Sequence, residues 1–214
     1  MALMHETTLV PSKYELLAAW LPTQPWFHGD ATKLERVGAY RLDDPAGEVG
    51  LEGHLFTAGD DTVYHVPLSY RGAPLEEAVE GGDAFLVGVM QHGVLGKRWA
   101  SDAMGDPVFR AVIAEVMVHG GHEAAEFAQD AAGNVVERAV HTRIQGSGSS
   151  RDAVPDLADA SVVDLGESSR AENGTAMLVL HRVAAPGREP GDAYALRVSW
   201  PGQSDPVVLA TLLP

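Results

Sequence analysis

The sequence predicts an α+β fold built on antiparallel sheet. Short strand-like stretches follow one another from 34 to 102, and turn-forming residues separate them at 43–45, 59–61 and 81–83. Connections this short favour antiparallel hairpins over parallel crossovers. Apolar residues recur at clear helical spacing near 12–22 and again near 106–121. Two helices packed on a mainly antiparallel sheet are therefore expected.

Prolines bound the first helix. Ser12 suits the N-cap position, Glu15 three residues later completes a capping box, and Pro22 ends the helical pattern. Leu17 and Trp20 lie on its apolar face. One short helix is expected here.

Five strands are expected to follow, at 34–42, 48–57, 62–70, 84–91 and 97–102. In the third, apolar residues occupy the even positions from Tyr64 to Tyr70, the period of a strand with one buried face. Pro67 in the same strand lacks an N–H donor. The strand is therefore expected at a sheet edge or at a bulge.

The second helix starts at a strong signal. Asp106 suits the N-cap, Pro107 the first helical position, and Gly120-Gly121 the C-terminal end. One or two further helical turns are expected over 122–129 and a strand over 135–144. The stretch QGSGSSRD opens a segment, 145–156, whose Gly/Ser composition predicts a flexible link. The part beyond it is β-rich, with strands expected at 160–165, 176–183, 193–200 and 206–213.

Charge and composition exclude several classes of function. The formal net charge is −15, from 30 acidic and 15 basic residues, which argues against nucleic acid and anionic membranes as partners. The absence of cysteine excludes disulfides, thiolate metal sites and a cysteine nucleophile. The start of the chain lacks the pattern of a signal peptide, and no apolar run reaches the roughly 20 residues that span a bilayer. A cytoplasmic protein without cofactor is expected.

The pair Gly96-Lys97 invites comparison with a phosphate-binding loop. That loop needs a glycine five residues before the Gly-Lys pair and a Ser or Thr after the lysine, and this chain has Gln91 and Arg98 there. We therefore expect a hairpin turn at 93–96, with Trp99 facing the core and Lys97 facing solvent.

Other candidate site residues are weak. His119 and His122 are the best candidates for a metal, but their spacing is His-x2-His across a Gly-Gly helix end, whereas zinc enzymes use His-x3-His on one helical face. We expect no metal site and no catalytic residues, since the chain also lacks a nucleophile elbow. Trp26, Tyr70 and Trp99 are candidates for stacking on a sugar, although large aromatic residues more often belong to the core.

Three stretches together resemble a known family. WLPTQPWFHGD at 20–30, YHVPLSYRGAPLEEA at 64–78 and HGVLGKRWASDAMGDPVFR at 92–110 resemble the N-terminal cap region of actinobacterial maltokinases. They are still more similar to short stand-alone proteins with that cap, some of them labelled 1,4-α-glucan branching proteins. The resemblance covers about residues 1–115 and implies a cystatin-like unit, a helix against a curved antiparallel sheet.

The resemblance also implies a domain organisation. It assigns 1–105 to a maltokinase cap-like domain and leaves 106–144 as a helix and strand that continue the first part. After the link at 145–156, it likens 157–214 to the β-rich intermediate part of a kinase N-terminal lobe. Residues 166–169 and 177–182 are similar to the passage that carries the ATP-phosphate lysine, and Val179 takes the lysine position.

These implications lead to a non-catalytic expectation. Valine cannot pair with phosphates, and the 14 residues after Trp200 leave no room for the lobe that carries the catalytic aspartate and metal ligands. We expect an accessory or interaction protein, not an enzyme, linked to α-glucan, maltose or trehalose metabolism. A sugar- or small-molecule-binding module and a regulatory subunit that docks on a separate kinase-like protein remain alternatives. A glucan transferase would need a pair of carboxylates across a cleft.

Overall fold

A computed structural model describes residues 2–4, 8–129, 134–149 and 151–214. Within these residues the helices are α1, Lys13–Trp20, and α2, Pro107–His119. The strands of the first half are β1 Ala2–Met4, β2 Leu9–Val10, β3 Leu34–Asp43, β4 Gly50–Ala58, β5 Tyr64–Arg71, β6 Leu86–His92 and β7 Gly96–Asp102. The strands of the second half are β8 Glu126–Gln129, β9 Val135–Arg138, β10 Arg143–Gly146, β11 Ser161–Asp164, β12 Ser168–Glu172, β13 Met177–His181, β14 Tyr194–Trp200 and β15 Gln203–Leu213.

The molecule is built around two six-stranded antiparallel sheets. The first sheet has the strand order β2-β6-β7-β5-β4-β3 and is curled into a half-barrel. The second has the order β10-β14-β15-β13-β12-β11, and a small sheet joins β1, β8 and β9. The predicted α+β class with antiparallel sheet is confirmed. No helix among the described residues is long and apolar enough to cross a bilayer.

The two helices pack on opposite faces of the first sheet. On one face, Leu17 of α1 and Leu21, which directly follows the helix, join a buried cluster with the even-numbered residues of β5. On the other face, Phe109, Ile113 and Met117 of α2 are buried in a cluster that also includes residues of the second sheet. Helix α2 therefore lies between the two large sheets and forms their common core.

Both helix starts follow the sequence signals. The Ser12 side chain accepts from the Glu15 N–H at 3.2 Å, while the Glu15 carboxylate accepts from the Ser12 N–H at 2.7 Å. Asp106 caps α2, and Gly120 ends it with a φ of 66°. This left-handed conformation is one that glycine adopts without strain.

Pro67 lies in an interior strand, so the prediction of an edge or bulge was wrong. Strand β5 pairs with β4 on one side and with β7 on the other. The pairing with β7 begins only at Leu68, and before it the His65 N–H donates to the Arg182 carbonyl at 2.8 Å. Alternate residues of a strand direct their N–H groups to the same side. The Pro67 nitrogen therefore points to the same side as the His65 N–H, into the gap between Arg182 and the start of the pairing with β7. Proline is tolerated there because no ladder bond is lost.

The expected helical turns at 122–129 are also wrong. Residues Glu126–Gln129 form β8, which pairs in parallel with β1 and in antiparallel with β9. The stretch 135–144 is two strands instead of one. It breaks at 139–142, where the Thr142 hydroxyl oxygen accepts from the Ala39 N–H of β3 at 3.1 Å. Pairing with segments distant in the sequence thus decides both that 126–129 is a strand and that the stretch 135–144 is interrupted.

Residues 145–149, at the start of the Gly/Ser segment, pack tightly on α2. The Gly148 N–H donates to the Met117 carbonyl at 2.8 Å, and the Ser147 N–H donates to the Ala195 carbonyl at 3.0 Å. A Cβ added at Gly148 would lie 1.9 Å from the Val118 carbonyl oxygen. The flexible link predicted from composition is therefore a close contact between backbones in this part. Composition could not distinguish the two, because glycine serves both.

The strands expected in the β-rich part are β11, β13, β14 and β15. Strand β12, Ser168–Glu172, was not predicted; it forms a hairpin with β13. Its side chains alternate between half-buried and buried, but the buried ones are the small residues Ser169 and Ala171. Small side chains give a weak apolar signal, which explains the omission.

Candidate functional site

The two histidines considered for metal binding have separate partners. His119, in the last turn of α2, lies 3.2 Å from the Asp152 carbonyl oxygen through its Nε2. His122, beyond the helix end, lies 2.8 Å from the Glu123 carbonyl oxygen through its Nδ1. No group of three or more His, Asp or Glu side chains suited to a metal occurs in the part of the chain that the structure describes.

The three aromatic residues considered for sugar stacking do not form a shared surface. Trp26 has no exposed area and contacts other rings, with its centroid 5.8 Å from that of Trp20. Tyr70 is 9% exposed. Trp99 is half-buried, and the Lys97 ammonium lies 4.4 Å from its ring centroid. Of the three, Trp99 keeps the most accessible ring.

The Gly-Lys stretch forms the expected hairpin. Strands β6 and β7 pair from Leu86 to His92 and from Gly96 to Ser101, and Gly96 has a φ of 73°. Lys97 and Trp99 lie on the same face, so the prediction that they face opposite ways was wrong. Residues two apart in a strand share a face.

A buried polar cluster that the sequence analysis missed lies under the start of α1. Glu52 and His54, two apart in β4, point to the same face as Tyr70 of β5. The Glu52 carboxylate forms an ion pair with the Lys13 ammonium of α1, and it lies 3.3 Å from the His54 Nε2. The same nitrogen lies 3.2 Å from the Tyr70 hydroxyl. The available signal was a Glu-x-His pair within an otherwise apolar strand.

The cluster has a fixed electrostatic character. Burial opposes ionisation of Glu52, but the Lys13 ammonium and the His54 ring outweigh it and hold the pKa of this carboxyl well below its usual value. Burial and the adjacent Glu52 carboxylate raise the pKa of the Tyr70 hydroxyl. At neutral pH Glu52 is thus a carboxylate and Tyr70 a neutral phenol. The carboxylate can orient His54 and Lys13, but it holds no proton to donate.

Glu52 and His54 of this cluster form the floor of a cleft of about 460 Å³. Strand β3 forms one wall through residues 36–41, and the segment 138–142 between β9 and β10 forms the other. Lys13 and Tyr14 of α1 lie at its rim. The cleft therefore unites segments that are far apart in the sequence.

A second buried network joins the two large sheets. Arg182, which follows β13 and is 1% exposed, donates to the Asp102 carboxylate at 2.5 Å and to the Ser169 hydroxyl oxygen at 2.8 Å. His65 lies 2.9 Å from the Tyr40 hydroxyl, within the first sheet. Burial, with the nearby Arg182 guanidinium, lowers the pKa of His65 to about 3, so this ring is neutral. The side chains of this network therefore have a structural role, which is to hold the two sheets together.

Val179 lies in β13, an interior strand of the second sheet. It is a half-buried residue of β13, opposite Arg170 of β12 and Thr211 of β15. The Arg170 guanidinium pairs with Glu172 at 3.1 Å.

Comparison with known proteins gives a match to a family model. Residues 20–106 match the family model of the maltokinase N-terminal cap domain. No curated protein matches the chain. The matched segment runs from the last residue of α1 to the N-cap of α2 and includes β3 to β7, the main part of the first sheet. This confirms the resemblance drawn from the three sequence stretches: residues 20–106 are similar to the maltokinase N-terminal cap domain.

Proposed function

We propose that the protein is a non-catalytic, cap-like accessory or interaction module, linked to maltose, trehalose or α-glucan metabolism. The family match supports the metabolic link, because the cap domain takes its name from maltokinases. The non-catalytic role rests on a different observation, the residue at position 179.

Val179 carries this proposal. The resemblance places the ATP-phosphate lysine at this position, and kinases need that cation to hold the α- and β-phosphates. The valine side chain is uncharged, and its neighbour across the strands, Arg170, is engaged with Glu172. We infer that this strand cannot orient a triphosphate as a kinase strand does.

Calorimetry tests the non-catalytic role directly. The purified chain is titrated with ATP in buffer containing Mg²⁺, and an active maltokinase serves as the positive control. We expect no saturable heat from this chain and no ATP-dependent phosphorylation of maltose in a parallel assay. ATP binding in the micromolar range, or turnover, would overturn the proposal.

The accessory role needs a separate test. A tagged chain is expressed in its native host at its natural level, and the proteins that elute with it are identified and then re-purified with it. We expect reproducible recovery of an enzyme that acts on maltose, trehalose or α-glucan, or of a kinase-like protein. A chain that always elutes alone argues against an interaction module.

Sugar binding is measured by thermal shift. Any ligand that binds the folded state alone raises the apparent melting temperature. Because Trp26 and Tyr70 are buried, an accessory role predicts no shift with maltose, trehalose or maltooligosaccharides. A shift that increases with sugar concentration would favour the small-molecule-binding alternative.

A further inference from the structure

Basic residues outnumber acidic residues in the lining of the cleft above Glu52 and His54, although the protein as a whole is acidic. Its lining includes four of the chain's 15 basic residues: Lys13, Arg36, Arg41 and Arg138. Two of the chain's 30 acidic residues, Glu52 and Glu126, also line it. The whole protein carries a formal charge of −15 and repels anions at long range. The cleft therefore departs from the general charge of the molecule.

The positive charge of Lys13 and the negative charge of Glu52 in the cleft balance each other. The Lys13 ammonium and the Glu52 carboxylate form an ion pair, and their side chains are 28% and 13% exposed. The sheet holds Glu52 in place, while the start of α1 holds Lys13. The floor is therefore polar and close to neutral.

The walls provide positive charge that is available to a ligand. Arg36 of β3 and Arg138 of β9 are both exposed. Neither forms an ion pair with a carboxylate among the residues that the structure describes, although Glu126 is the neighbour of Arg138 across the β8–β9 ladder. His141 adds a further nitrogen donor or acceptor at the same wall. A guanidinium group suits a phosphate or carboxylate because it can donate two parallel hydrogen bonds.

We propose that this cleft binds a small molecule through a phosphate or carboxylate group, with Arg36 and Arg138 as the principal cationic contacts. The volume of about 460 Å³ lies within the range of small-ligand sites and exceeds that of a single ion. The polar floor of Glu52 and His54 then contacts the uncharged part of the ligand, where hydroxyl groups would find acceptors and donors. The ligand class is thus a polar organic anion.

Titration with two probes tests this proposal. Inorganic phosphate and citrate are added separately to the full chain at low ionic strength, with sodium chloride of matched ionic strength as the blank. Binding is followed by calorimetry and by NMR shifts of His141 and Thr142. We expect saturable binding of at least one probe, with shifts at these two residues and weakening as salt is added. The stronger probe identifies the preferred oxyanion.

Matched variants locate the site. The double variant Arg36→Gln/Arg138→Gln is expected to bind the stronger probe at least about tenfold more weakly, because both charge-assisted hydrogen-bond donors to the anion are lost. Arg151→Gln removes an exposed arginine outside the cleft and should bind as the unmodified chain does. Arg36 and Arg138 are both exposed, so the fold should survive their replacement; circular dichroism verifies this. Saturable binding of neither probe, binding unaffected by the double substitution, or equal weakening by Arg151→Gln would overturn the proposal.

Discussion

Replacing Arg182 with methionine tests the contact that joins the two large sheets. The arginine follows β13 of the second sheet, and its partner Asp102 ends β7 of the first. The two side chains are almost fully buried, at 1% and 8% exposure. The guanidinium carbon also lies 5.1 Å from the Trp26 ring centroid. Methionine keeps most of the length and apolar volume of arginine but removes the charge.

The expected loss of stability in Arg182→Met follows from the Asp102 carboxylate that stays buried without its cation. Without Arg182, the Asp102 carboxylate keeps its hydrogen bond from the Met104 N–H at 3.1 Å but loses its cation. Breaking a buried ion pair on one side typically costs about 3–5 kcal/mol, since an uncompensated charge stays buried. Small domains are stable by about 5–15 kcal/mol in total, so the variant loses a large part of its stability. Asp102→Asn in the Arg182→Met background removes that charge and should restore about 2 kcal/mol.

Urea unfolding at pH 7, followed by circular dichroism, measures all four proteins of this double-mutant cycle. Each single variant leaves one buried charge without its partner, so Arg182→Met should be less stable than the double variant. A loss below about 1 kcal/mol for Arg182→Met would refute the reasoning, as would additive effects of the two substitutions. If Arg182→Met does not fold, a folded double variant still supports the argument and an unfolded one contradicts it.

Two further predictions concern stability. Gly148→Ala should destabilise the protein by at least about 1–3 kcal/mol, because its Cβ would meet the Val118 carbonyl, whereas Gly174→Ala points into open space and should change stability by about 0.5 kcal/mol or less. Urea unfolding of both variants measures the difference, and equal effects would contradict the packing argument. Acidification should destabilise as well: burial lowers the pKa of His65 to about 3, against about 6.5 in the unfolded chain, so the unfolded state binds more protons below pH 6.5. Lowering the pH from 7 to 5 should cost about 2 kcal/mol from His65, and His181, whose pKa burial lowers to about 4, adds to it. An unchanged urea midpoint at pH 5 would rule out the neutral buried histidines.

Local signals predicted the helices and most strands well. The capping box of Ser12 and Glu15 and the Asp106-Pro107 start require only contacts within one helical turn, so the sequence contains them in full. The alternation in β5 and the turns between β3 and β7 are local too. The strand bounds accordingly differ by only one or two residues from those expected.

The candidate site could not be predicted in the same way. The cleft takes Lys13 from α1, Glu52 and His54 from β4, and Arg138 from the region after α2, and no spacing rule connects these segments. The histidines and tryptophans that stood out in the sequence have ordinary structural partners instead. Residue type identified potential chemistry, but the neighbours of each side chain decided what it does.

The sequence by itself determined the fold class, both helix starts, the hairpin at 93–96 and the likeness to the maltokinase cap. The first three depend on short-range hydrogen bonding, period and turn chemistry, which a linear pattern records, and the likeness rests on the three matching stretches of sequence. Only the tertiary structure decided that 126–129 is a strand, that Pro67 lies inside a sheet, and that Gly146 and Gly148 pack on α2. In each case the deciding hydrogen bond or contact comes from a segment distant in the chain. The free energy of such contacts outweighs local preference, and the sequence does not specify their partners until the chain is folded.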